Sequence, residues 1–185
     1  EAPPSQSYDT YKRVMAATVD LNDLRVSLPL ELVGMMGARY PRAAERAQRL
    51  RATLNDIYRR EHAVSLARLS ANAKRDARAY IESLEGIVPF VASRTLLLGY
   101  GVHGVPVDEQ LRQALAEAGI CPADIDLNEL SASLGRLVKA EQAESAHAAL
   151  LALVDAQGGG KSATRATGRS ATTRRPRSPR STSRS

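Results

Sequence analysis

At 185 residues, 43% apolar and 25% charged, the chain has the length and composition of one globular domain with a real core. A single cysteine, Cys121, excludes an internal disulfide and any zinc or iron–sulfur site built from several cysteines of this chain, and the longest uncharged apolar stretch, 95–107, is too short and too glycine-interrupted to span a bilayer. The net charge of +6 comes from the last stretch, 158–185, which holds eight Lys/Arg and no acid.

Apolar residues recur at three and four positions and no segment alternates in β-branched residues, so the body reads as all-α. Residues 8–19 place Tyr11, Val14, Met15 and Val19 on one face. Ser27 reads as the cap of a short helix with Pro29 in its first turn, ending at Gly37. A long helix is expected from Pro41 to about His62. Its buried stripe is Ala47, Leu50, Leu54, Ile57 and Tyr58, with Arg42, Arg46, Arg49, Arg51, Arg59 and Arg60 mainly outside it. A turn at 65–69 and a helix over 73–84 follow, with Ala77, Tyr80, Ile81 and Leu84 inward.

A turn at 85–89 leads to a helix over 90–100 that is apolar nearly all round apart from Ser93, Arg94 and Thr95, which predicts a path through the middle of the domain. Asp108 reads as the N-cap of a helix ending at Gly119. Asp126 and Glu129 have capping-box spacing before a helix to Val138, and a last helix spans 143–156. From Gly158 the composition turns to Gly, Ser, Thr, Arg and Pro with no large apolar residue. Residues 1–157 are therefore expected to form the helical domain and 158–185 a disordered basic tail.

Charge is divided within the body as well. Residues 39–78 carry 11 Lys/Arg against 4 acids, and 79–157 carry 4 against 11, which suits a polyanion on one side only. Tail cations, among them Lys161, Arg165, Arg169, Arg174, Arg175 and Arg177, would add salt-sensitive affinity for nucleic acid. His62, His103 and His147 fit no metal-ligand spacing and read as surface or packing residues; Cys121 reads as packing. No metal site is expected. The GGGKS run at 158–162 is not a phosphate loop, because Asp155 stands where the first glycine would be and no strand precedes it.

The segment 84–108, LEGIVPFVASRTLLLGYGVHGVPVD, orders a helix end, a glycine turn, an apolar helix and an aspartate after Val-Pro-Val. It resembles the core of the helix-hairpin-helix (HhH-GPD) DNA glycosylases of the endonuclease III type, and the order of elements resembles theirs from about Asn22 to Asp155. Leu84, Gly86 and Ile87 match the hairpin turn, whereas Val88 replaces the second glycine and Pro89 removes an amide. Valine is poorly suited to positive φ, so the turn is expected to be altered and its phosphate grip weakened. Phe90 stands where bifunctional members carry the lysine that attacks the sugar, and the interval of 18 residues from there to Asp108 equals the family's lysine-to-aspartate interval.

What the resemblance implies is an all-α helical barrel that acts in base-excision repair as a monofunctional glycosylase without β-lyase activity. Asp108 would be the catalytic carboxylate, at a helix N-terminus that favours negative charge. Gly86, Ile87, Val88, Arg94 and the tail cations would bind DNA, and Phe90, Tyr100 and His103 would line the pocket. The family's first barrel helix would lie before Tyr8. Expected with this are double-stranded DNA as partner, no cofactor and no iron–sulfur cluster, no membrane, a monomer, and a cytoplasmic, nucleoid-associated location. The alternative expectation is an inactive DNA-binding module of the same fold, and a third is a helical interaction domain.

Overall fold

The computed structural model describes residue 2, residues 4–37 and residues 39–167, and every regular element among them is helical. The first half consists of α1 (Pro4–Ala17), α2 (Leu21–Val26), α3 (Pro29–Met36) and α4 (Ala43–Glu61). Val14, Leu24, Leu32, Met36, Ala43, Ala47 and Leu54 meet there in one apolar cluster. Six residues hold under two turns, too few for periodicity to reveal α2. It is fixed at its start by Asp20, whose side chain accepts the Asp23 N–H at 2.7 Å. Ser27 consequently closes α2 instead of opening α3: its hydroxyl donates to the Asp23 carbonyl, while Glu31 accepts the Leu28 N–H at 2.7 Å and starts α3.

A 3₁₀ turn at Ala67–Ala71 precedes α5 (Lys74–Glu82) and α6 (Pro89–Tyr100). Leu69, Ala77, Ile81, Ala92, Leu96 and Val102 form their cluster. The expectation that α6 is enclosed needs correction. It packs on α5 and α9, burying Ala92, Leu96 and Leu97, and leaves Val91 43% and Leu98 51% exposed on its remaining side.

The second half is α7 (Glu109–Glu117), α8 (Leu127–Leu137) and α9 (Ala143–Thr167) around Val105, Val107, Leu111, Ala114, Leu115, Leu130 and Val154. α9 comes back against α1, α6 and α7, and so ties the first and last described helices together. Leu32, Leu69, Ile81, Leu96, Leu111 and Leu115 are almost wholly inaccessible. Each contributes roughly 1.5–3 kcal/mol, and they are spread over three clusters, so no one cluster holds the fold alone.

α9 continues through Gly158–Gly160 to Thr167, beyond the end expected at residue 156. Extending a docked helix needs no new nucleus, so each glycine costs only about 1 kcal/mol relative to alanine. Lys161 and Arg165 fall on these last turns, while Arg169, Arg174, Arg175 and Arg177, with the rest of 168–185, lie outside the described residues. Among the described residues no helix is long and apolar enough to cross a membrane.

Candidate nucleic-acid interface

The turn between α5 and α6 is built onto α4 by side chains that the sequence places about thirty residues away. Asp56, 5% exposed, accepts the Glu85 N–H at 2.9 Å and holds Arg60 at 2.6 Å. Arg60 in turn donates to the Ser83 carbonyl and hydroxyl at 2.9 and 2.8 Å, and Thr53 donates to the Glu85 carbonyl at 2.8 Å. Burial alone would raise the Asp56 carboxyl, but the Glu85 N–H, Arg60 and Arg59 outweigh it and hold it below the usual carboxylate range. The turn is thereby pinned on both sides of Glu85.

Gly86 allows the close approach. Its φ is +77°, and a β-carbon there would stand 2.8 Å from the Arg49 carbonyl oxygen. A Gly86→Ala protein is expected to lose about 2–4 kcal/mol from left-handed strain and overpacking. Thermal denaturation checks this; an unchanged melting temperature would mean that the turn does not rest on α4.

The expected strain at Val88 is absent. Positive φ is confined to Gly86 in this turn, and Val88 is extended (φ −113°, ψ 150°), the conformation that a following proline imposes. Pro89 occupies the first helical position of α6, where its missing N–H breaks no helical bond. The N–H groups of Phe90 and Val91 remain without intrahelical partners, as helix geometry requires, and mark the anion-favouring end of α6. Two donors of the turn are lost to other use, since the Glu85 N–H is committed to Asp56 and the Ile87 N–H to the Leu84 carbonyl at 3.3 Å.

Between this turn and α4 lies a cavity of about 340 Å³. Leu50, Ile87, Val88, Phe90 and Val91 give it apolar walls; Arg42, Arg46 and Arg49 border it, and Asp108 stands in its lining. The arginines are anchored in advance. Arg42 and Arg49 both pair with Glu45, and Arg46 donates to the Tyr40 hydroxyl at 2.5 Å with its guanidinium over the same ring. A second cavity of about 700 Å³ opens on the other side of Phe90 towards α7 and α8, and shares Arg49, Ile87, Val88, Phe90 and Asp108 with the first.

Asp108 reaches this junction through a buried approach. Val105, Pro106 and Val107 are enclosed, and the Ser131 hydroxyl holds the Val105 carbonyl at 2.7 Å. The half-buried Asp108 caps α7, accepting the Leu111 N–H on Oδ1 at 2.9 Å. Gly86, Ile87, Val88 and Phe90 thus come together with Asp108 around one cavity.

Other expected residues lie elsewhere. Tyr100, three turns along α6 from Phe90, donates to the Leu66 carbonyl at 2.9 Å, and the exposed His103 meets the Gly135 carbonyl at 2.9 Å through Nε2. Neither lines these two cavities, because α6 carries its C-terminal end about 15 Å from the turn. Arg94 is exposed on α6 outside both. His147, read as surface or packing, is a buried neighbour of Phe90 that sequence reasoning did not connect to the site. Among the described residues no cluster of three or more metal-binding side chains occurs. No family model and no curated protein matches the chain.

Proposed function

We propose that the protein is a DNA-binding base-excision-repair enzyme, a monofunctional DNA glycosylase that hydrolyses the bond between a damaged or mismatched base and its sugar. The observation that carries this reading is that Asp108 lines the cavity bordered by both the hairpin turn and three arginines. A cavity of about 340 Å³ has the scale of a site for one small planar ligand, and a base must leave the duplex stack before its glycosidic bond can be reached. Asp108 would stabilise the positive charge growing on the sugar and aim water at it. Phosphates would lie along Arg42, Arg46 and Arg49 and the free N–H groups at the head of α6. Phe90 offers no amine for a covalent sugar intermediate, so the strand would stay intact.

The resemblance of 84–108 to the endonuclease III type supports the same reading. The commitment of the Glu85 N–H to Asp56 and of the Ile87 N–H to the Leu84 carbonyl favours the second reading, an inactive binding module, since it leaves the turn two donors poorer.

The test incubates the full chain with duplexes carrying uracil, oxidised pyrimidines, alkylated purines or adenine opposite 8-oxoguanine, then cleaves abasic sites with alkali. Release from at least one duplex is expected, with no nick before alkali. Three phosphate contacts would also weaken binding roughly 40-fold between about 50 and 200 mM salt. Salt-sensitive binding without release from any duplex would favour the binding module, and binding indifferent to salt would sink both.

A further inference from the structure

His147 stands on α9, is 2% exposed, and neither ring nitrogen meets a donor or acceptor among the described residues. Buried polar atoms without a partner are rare because they lose water and gain nothing. Its ring lies against Phe90, centroids 6.3 Å apart and tilted by 54°. Phe90 lines both cavities and His147 neither, so the imidazole sits one side chain behind the groove wall.

Among the described residues, the charged groups acting on that ring are Arg94 on α6 and Asp108 at the head of α7. On the side of α9 that meets α1, Asp155 is engaged by Ser5. Burial first, and then Arg94, lower the pKa of His147, while Asp108 opposes them, so the ring is neutral at pH 7. A neutral imidazole has one N–H to give and one lone pair to fill. Asp108 has the complementary gap: Leu111 occupies Oδ1, and no hydrogen bond to Oδ2 is seen among the described residues.

We propose that His147 is a positioning residue for Asp108: when a duplex fills the groove, the imidazole N–H closes onto the free carboxylate oxygen and holds it towards the sugar. The inference rests on the reading of Asp108 as the reacting carboxylate. Bonds of this kind are often long in an empty site and tighten in the complex, and a ligand that expels water strengthens them. Neutrality matters here. An imidazolium would cancel the charge that Asp108 has to present to the sugar, whereas a neutral ring orients the carboxylate and leaves that charge in place.

The test follows the ring nitrogens of ¹⁵N-histidine-labelled full chain by NMR, free and bound to a duplex with a tetrahydrofuran abasic analogue, the His147 signal being assigned by its loss in His147→Gln. Duplex binding is expected to bring a downfield ring N–H and raise the titration of His147 by about one pH unit, and the rise should vanish in Asp108→Asn. No response in the wild-type chain, or the same rise in Asp108→Asn, overturns the pairing. With a releasable base in hand, His147→Phe should slow release about 10-fold to 100-fold at unchanged duplex Kd, with part of the rate recovered by the N–H of His147→Gln. An unchanged rate in His147→Phe also overturns it. If the wild-type chain releases no base, the catalytic reading of Asp108 fails, while the ring spectra still decide whether the two residues pair.

Discussion

An Asp108→Asn chain is expected to bind duplex with unchanged Kd and to release base about 10²–10³-fold more slowly, the usual cost of removing one preorganised electrostatic group from a reacting centre. Asparagine keeps the side-chain oxygen that caps α7 through the Leu111 N–H, so the helix start and the fold should survive. What it removes is the negative charge facing the cavity. The discriminating measurement is single-turnover release alongside a binding isotherm. Equal loss of binding and rate would mean that Asp108 serves as a structural cap, and an unchanged rate would remove it from the chemistry altogether.

The second large effect is expected away from the cavity. Replacing Asp56 with alanine leaves Arg60 without its carboxylate partner and the Glu85 N–H without its acceptor. Losing these charge-assisted bonds and leaving the Glu85 N–H unsatisfied typically costs about 2–4 kcal/mol, a large share of a stability of roughly 5–15 kcal/mol. Arg59 will not compensate, because its contacts with Asp56 and Glu85 are made from a side chain 63% exposed, where ion pairs contribute little.

The pH dependence follows from the lowered Asp56 carboxyl. Its stabilising contribution is complete above the ordinary value of 3.8 and disappears as pH falls below that towards the folded-state value. Urea denaturation at pH 7 and again through the range below pH 4 should therefore show the gap between wild type and Asp56→Ala closing as acid is added. A gap that stays constant would mean that packing, and not the carboxylate, accounts for the loss.

How much of this was legible beforehand depends on sequence distance. Asp108, Asp126 and the Gly86 turn were readable because their signals are local: a cap bonds to an amide two or three residues on, and a glycine declares its own φ. α2 lacks such a signal, since Leu21–Val26 is too short to show a period, and for the same reason Ser27 reads as opening α3 when it closes α2. Residue preference at Val88 predicts strain, whereas the neighbouring Pro89 dictates an extended backbone. The Asp56 bond to Glu85, the Arg60 bonds to Ser83 and the seat of His147 behind Phe90 carry no local pattern. Each joins elements from separate parts of the chain, and an Asp on an arginine-rich helix or a lone His among alanines reads as ordinary surface until the partner is in place.

The two cavities that meet at Phe90 differ in the charge of their walls. The one against α4 has three arginines and two carboxylates; the one against α7 and α8 has two arginines and four carboxylates, Glu82, Asp108, Glu109 and Asp126. The charge of the walls favours a polyanion in the first and disfavours it in the second, so on the proposed function the groove would have a handedness: a strand would seat along α4 in one lateral placement, and sliding across Phe90 would be uphill. On the proposed function, the junction at Asp108 would work as a kerb, registering a strand from one side before any base is inspected.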